Sequence, residues 1–353
     1  MTLEEICSDV RSFIATPDLK RDAFDALAHR LFKFQFEHNT PYRHFCTSRG
    51  VTPNSLTSVT DIPAIITTAF KQLDLSVLSP SDRTTTFHSS GTTTHQPSRH
   101  FHSTETLRVY EQSLITAFQL HVCPSHQPLN FLILAPRRAD APHSSLVHMF
   151  ETVSEKFGTS TTFAGTVAPD GSWLLNFDQI QQPQQLPTVI CGTAFSFVHL
   201  CDHLASIDTT LTFPQGSRVF ETGGYKGRSR TIAKPELHQL ISQRLNIPES
   251  HIITEYGMSE LSSQAYDRTV GSSSARIFHF PHWARACVVS PETGHEVAEG
   301  GTGLLRVLDL ANVGSVAAIQ TEDLAIRRGN GFELIGRAPV AEPRGCSLME
   351  VTS

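Results

Sequence analysis

Apolar residues in the first 45 positions recur at helical spacing. Phe24, Leu27, Leu31 and Phe34 fall on one face, so this segment is predicted to be helical. From residue 100 onward, short apolar runs alternate with longer amphipathic stretches. Ser103 or Thr104 can cap a helix that carries Leu107, Tyr110, Leu114 and Phe118 on one side. Phe131 to Ala135 reads as a strand ended by Pro136, and 144–157 as a helix. A second run, Thr188 to Cys191, precedes Gly192 and a helix near 195–205. The cycle returns at Arg218-Val219-Phe220, before Gly223-Gly224. It closes with a helix opened by Pro235, carrying Leu237, Leu240, Ile241 and Leu245, and the run His251-Ile252-Ile253. Strand, glycine turn, helix, strand predicts an α/β fold around a mainly parallel sheet. Beyond 265 the helical signal fades, and Leu304 to Leu308 and Phe332 to Ile335 read as strands of a smaller antiparallel part.

Composition narrows the function classes. A chain of 353 residues, 39% hydrophobic and 18% charged, can bury a large core. Its net charge of −6 and lack of a basic run argue against a nucleic-acid partner or an anionic membrane surface. There is no apolar stretch of about 18 residues, hence no expected membrane span. The start lacks a basic segment followed by an apolar block, and the seven cysteines are scattered without a C-x-x-C pair. Both features predict a cytoplasmic protein with reduced thiols.

Residues 86–99 hold the densest candidate chemistry. Ser89, Ser90, Thr92, Thr93 and Thr94 surround Gly91, so hydroxyls and main-chain N–H groups can converge on an oxyanion. Composition alone also allows a solvated turn. Gly223-Gly224 and Tyr256-Gly257-Met258-Ser259-Glu260 each follow a predicted strand, where ligands sit in parallel sheets. No Walker loop, G-x-G-x-x-G or G-x-S-x-G is present. His199 and His203 are four apart on a predicted helix, and His95, His100 and His102 cluster. Neither set has H-E-x-x-H form, and a chain with 18 histidines produces such spacings by chance.

Several phrases in order resemble the adenylate-forming enzymes, and within them the acyl-protein synthetases of LuxE type. They are Ser89-Ser90-Gly91-Thr92-Thr93, Ser144-Ser145-Leu146, Gly192-Thr193-Ala194-Phe195 and Thr222-Gly223-Gly224-Tyr225-Lys226. Tyr256 to Glu260, Asp309-Leu310-Ala311-Asn312, Gln320-Thr321-Glu322-Asp323-Leu324 and Arg344-Gly345-Cys346-Ser347-Leu348 continue the series. The resemblance covers residues 80–340 for the wider superfamily. It implies a large adenylation domain, residues 1–335, with mainly parallel sheets flanked by helices plus a small antiparallel β part, followed by a short tail, 336–353.

The implied reaction is ATP-dependent. A carboxylate is a poor acyl donor, so it attacks the α-phosphate of ATP to give acyl-AMP and pyrophosphate, and the acyl group then passes to a protein thiol. Catalysis must neutralise charge growing on the phosphates. The resemblance assigns phosphate contacts to Ser89, Ser90, Gly91, Thr92, Thr93 and Thr94. It assigns Mg²⁺ to Glu260, the adenine wall to Tyr256, Gly223 and Gly224, and the ribose hydroxyls to Asp323, whose two oxygens suit that task. Gly257, Met258 and Ser259 complete the nucleotide-binding phrase. Arg337 meets the ribose near the hinge, an ion pair with Glu333 being its ordinary alternative. Segments 140–150 and 192–198, with Leu146, Met149, Phe195 and Phe197, are candidates for the acid pocket. A fatty acid is the expected substrate, and an acyl reductase an expected partner. Cys346 matches the near-terminal cysteine that becomes acylated.

The departures matter as well. The family's loop usually continues to a lysine, and here the stretch is Pro97-Ser98-Arg99, so Arg99 is the candidate charge. Most members carry a mobile C-terminal domain with a bridging lysine. This chain runs 16 residues past Arg337 with no lysine among them, which predicts that this domain is largely absent. Adenylation then proceeds without that lysine, or a partner or Lys226 supplies it. Absence of that domain would also remove the usual coenzyme A tunnel, which places an acyl-CoA or carrier-protein ligase behind the main reading. The other alternative is a non-catalytic nucleotide-binding subunit, favoured by the missing lysine and opposed by the retained Glu260 and Asp323.

Overall fold

Two reciprocal hydrogen bonds start the first helix. The Glu5 N–H donates to the Thr2 hydroxyl, and the Thr2 N–H donates to the Glu5 carboxylate, a capping box that opens α1 (Leu3–Ile14). The computed structural model describes residues 1–17, 21–89, 97–125, 127–224 and 232–337. Helix α2 (Arg21–His38) buries Phe24, Leu27, Leu31 and Phe34, the face its spacing predicts. Asn39 caps α3 (Thr40–Ser48). Strand β1 (Ile65–Ile66) and the single turn α4 (Ala69–Gln72) lead to an antiparallel hairpin, β2 (Thr85–His88) with β3 (Arg99–His102). The hydroxyl-rich segment therefore joins the two strands of a hairpin. Ser103, not Thr104, caps α5 (Thr104–His121), since its hydroxyl accepts from the Thr106 N–H.

The α/β layers follow in the predicted order. They comprise β4 (Leu129–Ile133), α6 (Ser145–Phe157), β5 (Gly158–Phe163), the hairpin β6 (Gly165–Val167) and β7 (Trp173–Leu175), and α7 (Phe177–Ile180). Next come β8 (Thr188–Thr193), α8 (Ala194–Ser206), β9 (Arg218–Thr222), α9 (Lys234–Leu245), β10 (Ile252–Tyr256) and β11 (Ala265–Tyr266). The sheet order is β11-β10-β9-β8-β4-β5, all parallel except β11. Helices cover both faces, so the inner strands β4, β8, β9 and β10 are almost entirely buried, while the edge strand β5 is not. Phe118, Phe131, Phe150 and Phe220 fill one face, and Leu132, Ile190, Phe197 and Val219 the other.

Two expectations need correction. Gly192 lies inside β8 rather than after it. A Cβ there would come within 3.1 Å of Phe197 and 3.2 Å of Leu134, so this glycine serves close packing, not a turn. The antiparallel part is also larger than predicted. It contains β12 (Ala284–Val289), β13 (Thr302–Asp309), β14 (Ala318–Arg328) and β15 (Gly331–Arg337), and it recruits β1. Strand β14 is long enough to pair along one edge with β1 at Ile319 and Gln320 and with β15 from Asp323 to Arg328. Among the described residues no helix is long and apolar enough to cross a membrane.

Candidate active site

Strands β9 and β10 end side by side, and the candidate residues gather past their C-terminal ends. After Thr222 the chain turns through Gly223, whose φ of +68° favours glycine. Among the described residues, a Cβ on Gly223 or Gly224 would meet nothing within 4 Å. Tyr256 closes β10 with its ring against Phe278, Phe280 and Phe332, the last at 5.4 Å and 81°. Its hydroxyl donates to Asp323 Oδ2 at 2.7 Å. Asp323 stands on β14 opposite Arg337 of β15, whose Nε is 3.7 Å from Oδ1. The expected alternative for Arg337 is wrong, because Arg328 pairs with Glu333, at 2.9 Å. Burial raises the Asp323 carboxyl above the ordinary carboxylate range, against the Tyr256 hydrogen bond and the Arg337 charge.

Glu260 forms the second focus. It is buried, and Ser98 donates to Oε1 at 2.5 Å while Ser259 donates to Oε2 at 3.0 Å. Ser98 sits at the neck of the hairpin loop, where its N–H donates to the Ser89 hydroxyl at 3.0 Å and its carbonyl accepts from the Ser89 N–H at 3.2 Å. The hydroxyl loop and the Glu260 segment are thus joined directly. Sequence reasoning missed Ser98, which stands 162 positions from its partner. Arg99 begins β3, exposed, with its guanidinium 5.5 Å from the Phe101 ring centre. Met258 packs half-buried against the core, and Gly257 leaves room for Glu255, whose Oε1 would lie 2.3 Å from a Cβ there. Ser90 to Thr94, His95, Lys226 and Cys346 lie outside the described residues.

Two glutamates in the central strands also escaped the sequence reading, although an acid inside a buried strand is a legible anomaly. Glu221 accepts from Lys234 Nζ at 2.5 Å and lies 3.6 Å from His238 Nε2. Burial pushes its carboxyl up, but Lys234 and His238 hold it below the usual range. Glu255 has no cationic partner among the described residues and accepts from the Thr222 hydroxyl. Burial pushes it from 4.5 up to about 7. Between those two pH values the folded protein keeps a proton that the unfolded chain has lost. Stability from this group is therefore full below its unfolded pKa and falls as pH rises through the folded one. Glu255→Gln removes the dependence. Its stability relative to the parent should rise by on the order of 3 kcal/mol between about pH 4 and pH 8, measured by urea unfolding at each pH. A flat difference would refute the burial argument. Comparing the two proteins cancels His100 and His102, whose pKa values burial lowers and whose contributions run the other way.

The remaining candidates separate. His100 and His102 stack at 4.8 Å inside the core, while His203 stacks on Phe177 at 3.6 Å and His199 contacts Phe195. Among the described residues no three His, Cys, Asp or Glu side chains converge as a metal cage. Leu146 and Met149 pack on the α6 side of the sheet and Phe197 on the α8 side, so the structure does not bring these acid-pocket candidates together.

The model of the family described as acyl-protein synthetase, LuxE, matches residues 2–351. The chain belongs to this family. It is accordingly an ATP-dependent ligase that activates and transfers an acyl group. Its relatives include the long-chain-fatty-acid–luciferin-component ligase of Aliivibrio fischeri, 21% identical over 345 residues, covering 93% of this chain and 88% of that protein. The ligase of the same name from Vibrio harveyi is 21% identical over 329 residues, covering 90% and 84%. Among solved structures, an open 2-hydroxyisobutyryl-CoA ligase in complex with 2-HIB-AMP and CoA has a TM-score of 0.66 at 13% identity, covering 90% of this chain and 76% of that one. ATP-bound MatB from Rhodopseudomonas palustris has a TM-score of 0.52 at 18% identity, covering 81% and 53%. The LuxE-family chain thus has the fold of the adenylate-forming enzymes.

Proposed function

We propose that this synthetase joins a long-chain fatty acid to AMP, releases pyrophosphate, and passes the acyl group first to Cys346 and then to an acyl reductase, in the cytoplasm. The observation that carries this reading is the meeting of Tyr256, Asp323 and Arg337 at the same sheet end as the coupled Ser98–Glu260 pair. Residues 1–335 act as the adenylation domain and 336–353 as the tail.

Each side chain has a task in that reaction. The substrate carboxylate oxygen forms a bond to the α-phosphorus of ATP as the bond to the pyrophosphate oxygen breaks. Ser89 and the segment Ser90, Gly91, Thr92, Thr93 and Thr94 donate hydrogen bonds to the phosphates, and Arg99 adds positive charge at the loop's exit. Gly223 and Gly224 expose main chain to the adenine, Tyr256 backs the site, and Gly257, Met258 and Ser259 lead into Glu260. Asp323 accepts from the ribose hydroxyls with lone pairs that Tyr256 leaves free, and Arg337 steadies it. Glu260 suits Mg²⁺. It is a buried carboxylate whose bonded donors are neutral hydroxyls, and one such ligand beside substrate phosphates is how Mg²⁺ is usually held. Bound there, Mg²⁺ neutralises charge on the departing pyrophosphate.

The test is exchange of labelled pyrophosphate into ATP, dependent on added acid and screened over fatty and aryl acids. Asp323→Ala should weaken ATP binding by about 1–3 kcal/mol, read as a raised KM for ATP with a smaller change in kcat. An unaltered KM would remove Asp323 from the ribose site.

A further inference from the structure

The segment that carries Glu260 is shaped from outside. Among the described residues, 257–263 contain one main-chain hydrogen bond of their own, Leu261 N–H to the Met258 carbonyl at 3.1 Å. Its other bonded main-chain groups are held by Asp309, the last residue of β13, and by Asn312 in the turn that follows, while the Trp283 indole donates to the Ser263 hydroxyl at 3.0 Å. The Asn312 amide donates both hydrogens, one to the Glu260 carbonyl and one to the Val316 carbonyl, each at 2.9 Å. Its Oδ1 accepts from the Ser262 hydroxyl at 3.4 Å. Asp309 Oδ2 accepts from the Ser262 N–H at 2.8 Å, and Oδ1 accepts from the Ser263 hydroxyl at 2.6 Å. The turn is anchored in its own right, because Gln35 of α2 donates to the Asn312 carbonyl at 2.8 Å and accepts from the Ala317 N–H at 2.9 Å. Gln35, Asp309, Asn312 and Ser263 are wholly buried.

From this bracket around one residue we infer that Asn312 is a positioning residue for Glu260, fixing the peptide group from which the carboxylate projects toward the phosphate loop. The inference rests on the proposed role of Glu260. Polar groups this deep are unfavourable unless every partner is met, and an apolar side chain could fill the same space. What an apolar side chain cannot do is hold the Glu260 carbonyl and the Ser262 hydroxyl at once, as the Asn312 amide does on either side of Leu261. A carboxylate hinged at a loose peptide would lose its alignment with Ser98, and small misplacements of catalytic groups are costly.

Asn312→Asp keeps the shape but replaces the two-hydrogen donor with an acceptor facing two carbonyls. Gln35→Leu loosens the same turn from behind and serves if Asn312→Asp does not fold. Two readouts apply. Hydrogen–deuterium exchange of the free protein should show amides 258–262 opening about tenfold faster, with α5 and β8 unchanged. Pyrophosphate exchange should lose about tenfold or more in kcat, with KM for the acid nearly constant. In a Glu260→Gln background the Asn312 variant should add almost nothing, because the two act as one unit. Additive losses, or a loosened segment with unchanged kcat, would overturn the inference. If Glu260→Gln alone keeps full exchange activity, the proposed role of Glu260 fails instead, and the two failures are distinct.

Discussion

Replacing Glu260 with alanine is expected to lower acyl-adenylate formation by about two or more orders of magnitude, the scale of losing a preorganised electrostatic contact to a transition state. The geometry explains why so much rests on one side chain. The carboxylate is buried, and hydroxyls of Ser98 and Ser259 orient both of its oxygens. Alanine removes the negative charge and strands both hydroxyls, and it also cuts the link between the hairpin loop and this segment. The loss should fall on kcat for pyrophosphate exchange far more than on KM for the acid. Circular dichroism would confirm that the variant is folded. Full exchange activity in a folded Glu260→Ala protein would exclude Glu260 from the chemistry.

The second large effect concerns Cys346. Incubation with ATP, Mg²⁺ and the fatty acid should yield an intact-mass adduct that hydroxylamine removes, and Cys346→Ser should abolish it while pyrophosphate exchange continues. In the transfer, the thiolate sulfur bonds to the acyl carbon as the bond from that carbon to the phosphate oxygen breaks, and AMP leaves with the electron pair. The reaction needs a thiolate. Burial works against one at the described cysteines: it pushes the thiols of Cys7 and Cys123 up to about 12 and those of Cys46 and Cys287 up to about 11. Burial also raises the thiol of the wholly buried Cys191 well above its ordinary range, and Cys201 is buried too. Cys346 lies beside Arg344 in sequence, a neighbour that favours the thiolate. An adduct that survives in Cys346→Ser would place the acceptor elsewhere.

The α/β layers were readable because their signals are local. A buried helix face repeats within a turn or two, as Leu237 and Ile241 do, and a doubly covered strand is one apolar run, as Ile252 and Ile253 are. The two-residue strand β1 has no such signature, and it exists because Ile319 and Gln320 offer a free edge. Strand β14 was missed for a different reason. Its middle carries Glu322 and Asp323, charges that break the alternation of a strand and that a binding role would account for. At the candidate site, the motif phrases named Tyr256, Asp323 and Arg337, which the structure brings together, and Glu260, which it buries. The partners of Glu260 were not legible: Asn312 ends one of those phrases and Ser98 lies beside Arg99, but both reach Glu260 from distant parts of the chain and nothing in the sequence marks the contact.

The Gln35 anchor has a consequence for synthesis on the ribosome. Its partners in the folded protein, Asn312 and Ala317, lie 277 and 282 positions later. At about 5–20 residues per second, helix α2 waits on the order of tens of seconds with a core-facing amide that has nothing but water to bond. Helix α2 is therefore made early and completed late, and an unfinished segment is open to aggregation for as long as it waits.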